Sequence, residues 1–380
     1  MAGGKPGKVS LALLALVPVS LVLKLLGADA VVVFAAAGVA VIPLAHLMGR
    51  ATDEIGKHAG PGIGGLLNAT FGNAVELIIG LAALLRAGSL AAAGDPAGSA
   101  SLLAVVKASI TGSIIGNVLL VLGLSMLVGG LKYKTQKFSA QAAEVQVTML
   151  ALAIAALVMP ELFQLSFCQG NPTPQVCGPS GALGNASLWI SVILLVGYVL
   201  GLIFSLHTHK DIFNPVTQEQ ERPIWSKRWA LAVLLGATAV VGVLAEILVG
   251  AVEGLTAPPP VGLGLTELFM GVMVIAIVGN AAEHGTAVLM AWKNKMDLSV
   301  GIATISSAQV ALFLTPLLVI ASFALGAPMS LAFEVFELVA IILSVAVMAN
   351  LAKDGQSNWY EGVLLLLLYA IIGIGFFFHP

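Results

Sequence analysis

Gly72-Asn73-Ala74-Val75-Glu76 and its later echo Gly279-Asn280-Ala281-Ala282-Glu283-His284 each lie in the middle of a long apolar run. Glu76 is the only charged residue between Lys57 and Arg86, and Glu283 is the only carboxylate between Glu267 and Lys293. A carboxylate at bilayer depth costs from about 2.5 kcal/mol upward, so such a residue faces a partner, a cavity or an ion. A purely structural role for both acids sits poorly with a pattern that occurs twice in similar settings. On the helical period Asn73 and Glu76 share a face, as do Asn280 and Glu283, so each helix presents an amide oxygen beside a carboxylate. The glycine before each Asn is expected to let the backbone unwind or be approached closely, exposing carbonyl oxygens to an enclosed cavity. Ligation by oxygen alone suits a hard cation.

The surrounding sequence sets these runs in a membrane. Of 380 residues, 59% are hydrophobic and only 9% charged, where a soluble domain has about 25% charged residues. Stretches able to cross about 30 Å of hydrocarbon fall at 9–26, 29–49, 62–86, 99–130, 138–160, 184–206, 228–252, 264–292, 297–325, 331–351 and 359–378. The expectation is therefore an all-α integral membrane protein with eleven transmembrane helices. If these alternate, fourteen of the seventeen Lys and Arg residues gather on one side, including Arg50, Lys57, Lys132, Lys293 and Lys353. Lys24 and Arg86 fall on the other, with Lys107 inside a span. The positive-inside rule then puts the N-terminus in the cytoplasm and the C-terminus outside, in the setting of a prokaryotic plasma membrane. Cys168 and Cys177, the only cysteines, share the one long external loop. A disulfide closing that loop is expected in an oxidising compartment, with two free thiols as the alternative.

After residues 1–28, the tail and first span, the chain reads as two sets of five spans, 29–206 and 228–380, joined by a polar cytoplasmic linker at 207–227. Leu44-Ala45-His46 in the second span lines up with Leu244-Ala245-Glu246 in the seventh, and Asp53 falls opposite Glu253. The Gly-Asn-Ala-x-Glu pairing follows in the next span of each set. In the span after that, Ser113-Ile114-Ile115-Gly116-Asn117 corresponds to Ser306-Ser307-Ala308-Gln309. Five is odd, so the second set starts on the opposite side from the first: an inverted-topology repeat, with a midplane site at the repeat interface. Outside the two signatures, Glu246 and Glu253 read either as an acidic approach for cations or as interfacial carboxylates in water. His284 points about 100° away from Glu283 on a helix, towards a neighbouring helix or a proton relay. Ser113 and Asn117 are the remaining candidates for such a relay. Lys107, Glu144, Glu334 and Glu337 lie in or near span ends.

At these residues the chain resembles the calcium/proton exchanger family of the cation/calcium exchanger superfamily, from about Val31 to the C-terminus. The two Gly-Asn-Ala stretches look like that family's signature repeats. Val300 to Pro316, with Ser306 and Gln309, and Asp354-Gly355-Gln356-Ser357-Asn358-Trp359-Tyr360-Glu361-Gly362 are further matches. Sodium/calcium exchangers are similar in fold, but their Ser/Thr-rich and Pro-Glu patterns are absent here. The resemblance implies exchange of Ca²⁺ for H⁺ across the membrane, with Glu76 and Glu283 as the two essential acids and Asn73, Asn280, Ser306 and Gln309 as the polar lining. His46, opposite Glu246 in the repeat, is a departure from the pattern.

Two carboxylates in a low-dielectric pocket repel one another, so the empty, doubly ionised site is disfavoured. Protons on the acids or one Ca²⁺ bridging them neutralise it, and these states exclude one another. If only neutralised forms cross between inward-open and outward-open states, antiport follows from charge balance. Ca²⁺ takes 6–8 oxygens, so the pair needs help from Asn73, Asn280, Ser306, backbone carbonyls or water. Mn²⁺ is not strongly excluded, and no Cys or Met set argues for softer metals. The alternatives are a sodium-coupled exchanger or a Mn²⁺/H⁺ antiporter of the same architecture, and less so a cation channel. Neither a His-Glu-x-x-His motif nor a nucleophile and base pairing is readable in the spans, so no enzyme, cofactor or nucleic-acid partner is expected. Ca²⁺, H⁺ and the lipid bilayer are the expected partners.

Overall fold

The computed structural model describes residues 12–59, 67, 70–169, 173–178, 181–209, 222–257, 259 and 262–379. With no water in the hydrocarbon, backbone polar groups must be satisfied within their own segment, and helices do this. Among the described residues, ten helices are long and apolar enough to cross a membrane. After the shorter α1 (Ala12–Leu25) come α2 (Ala30–Ala59), α3 (Ala74–Ala92), α4 (Pro96–Tyr133) and α5 (Ala140–Phe167). Then follow α6 (Ala182–Ile203), α7 (Lys227–Thr256), α8 (Glu267–Trp292), α9 (Met296–Ala324), α10 (Val335–Leu351) and α11 (Trp359–Phe378). Eleven crossings were expected from hydropathy. At about 1.5 Å per residue, α1 covers only part of a hydrocarbon core about 30 Å thick, and residues 1–11 lie outside those described.

Contacts between distant segments sort the connections to two ends. At one end Glu54 accepts from the backbone N–H groups of Ile224 and Trp225 at 2.7 and 2.8 Å, tying the end of α2 to the start of α7. The same end holds β1 (Thr135–Lys137) paired antiparallel with β2 (Gln356–Asn358), Gln136 opposite Ser357. Lys132 there donates to the Trp292 carbonyl at 3.0 Å. At the other end Cys168 is bonded to Cys177, Ser187 accepts from the Leu331 N–H at 3.0 Å, and Arg86 meets Glu253. Hence α2 runs towards the linker end and α7 runs away from it, so the second set of five is inverted relative to the first. The β ribbon departs from an all-helical reading. Gly355 at φ +65° turns the chain out of α10 and into β2, beside the equally short connection after α4. Residues 210–221, most of the linker, lie outside the described residues.

Among the ten, α4 is the most buried and α6 the least, so α4 is the central element against which the site is built. It meets α8 at close range because both are stripped of side chain at the crossing. A Cβ on Gly112 would overlap the Val272 backbone, and one on Gly271 would overlap Ala108. Small residues that let backbones touch are the usual basis of helix association in lipid. The crossing sets Ser113 of α4 against Asn280 of α8. Three spans carry a wide, π-type turn in their interior, Gly116–Val121 in α4, Met270–Ile275 in α8 and Val310–Leu314 in α9, and a fourth, Phe204–Thr208, directly follows α6. Two of them directly follow the polar groups Ser113-to-Gly116 and Ser306-to-Gln309, equivalent places in the two sets. In α9 Pro316 supplies no N–H, and just before it the Val310 carbonyl accepts from both the backbone N–H and the hydroxyl of Thr315, the latter at 2.7 Å.

Candidate cation site

The two signature stretches share a sequence but not a backbone. Gly72 and Asn73 form a turn, and α3 begins at Ala74 with Asn73 at φ −96°, ψ 24°. Asn73 does not cap its own helix. Its amide reaches across to the second set, donating to Gln309 Oε1 at 2.7 Å and accepting from the Ser306 hydroxyl at 3.2 Å. Ser306 is also hydrogen-bonded to Glu283 Oε2. Asn73, Glu283, Ser306 and Gln309 therefore form one buried network drawn from α3, α8 and α9.

In the second stretch the backbone does not unwind, since Gly279 and Asn280 lie inside the unbroken part of α8, Ala276–Trp292, and the other expectation for the glycine, close approach, is the one that holds. A Cβ on Gly279 would stand 3.1 Å from Glu76 Cγ. Asn280 donates to Ser113 Oγ and to the Ala276 carbonyl, both at 2.9 Å, while its own Oδ1 is buried without a partner. Each signature Asn thus meets the Ser of the opposite set, Asn73 with Ser306 and Asn280 with Ser113. Both carboxylate oxygens of Glu76 are buried and have no hydrogen-bond partner among the described residues, within electrostatic reach of Glu283. They adjoin a small cavity whose polar lining includes Ser109 and Ser113. Buried polar atoms are nearly always satisfied in folded proteins, so the three oxygens left open among the described residues, two on Glu76 of α3 and one on Asn280 of α8, mark this region as a candidate site for water or an ion. Among the described residues no group of three His, Cys, Asp or Glu side chains is placed to hold a metal. The donor set here is instead two carboxylates with amides and hydroxyls.

The sodium/calcium exchanger protein family matches this sequence over residues 29–207 and 229–378. The chain belongs to that family. Among its relatives within the exchangers is the Ca(2+)/H(+) antiporter of Synechocystis, 42% identical over 98% of each chain. The Ca(2+)/H(+) antiporter ChaA of Bacillus subtilis is 44% identical, over 95% of this chain and 96% of that one. In three dimensions the chain is similar to native YfkE, with a TM-score of 0.79 and 40% identity over 97% of this chain and all of the other.

The other candidate residues of this exchanger are placed less centrally. Asn117 lies in the wide turn of α4 with its Nδ2 buried and unpartnered. His284 Nε2 is likewise buried without a partner, so that atom makes no bond to a neighbouring helix. Glu253 does not form an open acidic pair with Glu246, because Arg86 holds it through two hydrogen bonds of 2.6 and 2.9 Å. Arg86 is ten residues beyond Glu76, about 15 Å along α3. Ser109 was not among the residues singled out in the sequence. The signal that finds it is its i−4 spacing from Ser113 on the inner face of α4.

The glycine argument is testable. Gly279→Ala should lower apparent cation affinity in transport about tenfold, because Glu76 must shift to admit the methyl group. Gly285→Ala on the same helix, where nothing lies within 4 Å of the new Cβ, should leave affinity unchanged. Equal affinities for the two variants, read from the cation dependence of uptake, would remove the close-approach role of Gly279.

Proposed function

We propose that this protein is a secondary antiporter that exchanges Ca²⁺ for H⁺ by alternating access, with Glu76 and Glu283 receiving either one Ca²⁺ or protons. The observation that carries the reading is the pairing of two membrane-buried carboxylates from the two inverted sets, 29–206 and 228–380, with both oxygens of Glu76 lacking any hydrogen-bond partner among the described residues. The curated relatives, both Ca²⁺/H⁺ antiporters by name, support the same ion pair. Ser306 supplies a proton-accounting argument. Its single hydroxyl hydrogen cannot serve both Asn73 Oδ1 and Glu283 Oε2. A proton on Glu283 satisfies both contacts, Glu283 donating to Ser306 and Ser306 to Asn73. Loss of that proton frees Glu283 Oε2 to face a cation together with Glu76 and Asn280 Oδ1. Asn73, anchored at both ends of its amide by Ser306 and Gln309, positions the α3 start rather than turning to the ion.

Charge balance makes the exchange obligatory. Bare carboxylates are not carried across, because two buried anions without partners are too costly. The deciding experiment is Ca²⁺ uptake into vesicles reconstituted with purified protein, driven by an imposed pH gradient with and without Na⁺. Uptake that follows the pH gradient and ignores Na⁺ is the expected result. Uptake that needs a Na⁺ gradient would mark a sodium-coupled exchanger of the same architecture, and flux with no counter-movement of protons would mark a channel.

The excess of Lys and Arg at the linker end, against Lys24 and Arg86 at the other, orients that end to the cytoplasm. Ala93→Cys should therefore react with an impermeant thiol reagent added to intact cells, and Lys353→Cys should react only after permeabilisation. Both positions are exposed, and the two native cysteines are already bonded to each other. The reverse labelling would mean that the chain is inserted the other way round.

A further inference from the structure

On the opposite face of α4 from Ser109 and Ser113 lies a second cavity, about 740 Å³ in volume, at the disulfide end. It is lined by Lys107 of α4, Glu161 and Gln164 of α5, Glu334 and Glu337 at the start of α10, and His379 just after α11. Its charges are unequally served. Each oxygen of Glu337 has a donor, Thr111 Oγ1 at 2.8 Å and the Glu334 N–H at 3.0 Å. Glu334 stands 3.8 Å from His379. Lys107 Nζ donates to the Ala332 carbonyl at 2.6 Å, which leaves two of its three N–H bonds unassigned. Glu161 is only 5% exposed, yet it has no hydrogen-bond or ion-pair partner among the described residues. No salt bridge closes the gap between Glu161 and Lys107, although each lies in the other's field. A buried acceptor and a cation with spare donors face one space without meeting, and a bridging ligand needs a donor at one end and an acceptor at the other.

The walls indicate the source of that ligand. Val335, Phe336 and Val339 line the cavity and are exposed, and the exposed Ile342 and Leu343 continue the apolar surface along α10. The cavity therefore opens beside an exposed apolar strip, with Glu334 and Glu337 from the start of α10 and His379 from beyond the end of α11 in its wall. We propose that it binds a phospholipid with a primary ammonium headgroup of the phosphatidylethanolamine type: ammonium on Glu161, phosphate on Lys107, acyl chains along α10. An anionic lipid would bring a further negative charge next to Glu161, Glu334 and Glu337. A phosphatidylcholine has no N–H to give Glu161. A divalent cation would have to share the space with the Lys107 ammonium, which lines the same cavity and repels it.

The test is lipid retention, read by native mass spectrometry on the purified full-length protein after delipidation and incubation with defined lipids. Phosphatidylethanolamine should be retained about tenfold better than phosphatidylcholine or phosphatidylglycerol, the difference expected of one charge-assisted hydrogen bond. Glu161→Gln, which keeps shape and removes charge, should erase that preference, and Lys107→Gln should weaken retention of all three. Equal retention of the three lipids, a preference for phosphatidylglycerol, or an unchanged preference in Glu161→Gln each overturns the proposal. So does displacement of the lipid by an equal concentration of soluble glycerophosphoethanolamine, which would make the cavity a site for a water-soluble zwitterion. Should either variant fail to fold, the lipid series on the unaltered protein still decides.

Discussion

Glu76→Gln and Glu283→Gln are each expected to abolish Ca²⁺ uptake while leaving a folded protein. Gln copies the shape and hydrogen bonding of a protonated glutamic acid but cannot ionise, so each variant is locked in a half-neutralised form. Direct carboxylate-to-cation attraction in a desolvated site is a matter of several kcal/mol, so a fall in transport of at least about a hundredfold is expected. Neither variant should be much less stable, because the neutral amide takes the place of a protonated acid of the same shape and buries no new charge. The two variants should still differ in one respect. Glu283 has Ser306 as a partner, whereas both Glu76 oxygens have none among the described residues, so at a pH high enough to ionise the acids Glu76→Gln should raise the thermal midpoint more than Glu283→Gln does. Uptake at the unaltered rate in either variant, with monodisperse protein on gel filtration, would sink the two-carboxylate mechanism.

Much of this site was legible in the sequence because an acid in an apolar run carries a large penalty, and because the pattern is doubled. The Asn, Ser and Gln lining is what the resemblance to the calcium/proton exchangers implied, and the structure brings Asn73, Glu283, Ser306 and Gln309 into one network. What escaped the sequence is what depends on neighbours. Gly72 and Gly279 occupy the same place in the motif, yet one lies in a turn and the other inside a helix, because Glu76 is pressed against Gly279 from another chain segment. Hydrophobic periodicity does not register a single extra residue per turn, so the wide turns in α4, α8 and α9 leave no clear mark. Glu253 looked like half of an acidic pair because its partner Arg86 is 167 residues away, although both were assigned to the same side. Lys107 was noted only as lying near the start of a span. Its setting, a cavity walled by α5, α10 and the chain after α11, is a tertiary fact.

Protons and calcium should compete at the Glu76 and Glu283 pair, so that apparent Ca²⁺ affinity falls as pH on the binding side drops. The sign follows from linkage: the ion binds the form that has lost its protons, so each proton released on binding adds a factor of ten to affinity per unit rise in pH. If one Ca²⁺ displaces a proton from each acid, log affinity rises with a slope of about two where both are protonated, and flattens where both are ionised. The two acids lie in one another's field and share the ion, so the curve reports macroscopic constants of the pair. Titration calorimetry in buffers of different ionisation enthalpy counts the released protons directly. The Glu283→Gln variant, if it retains residual binding, should show a slope of about one, since a single titrating acid is left. Affinity independent of pH from about 5 to about 8, with no proton release, would mean that both carboxylates are already ionised in the empty site. Proton coupling would then have to pass through another buried group, and His284, one residue from Glu283 with its Nε2 unpartnered, would be the first to replace.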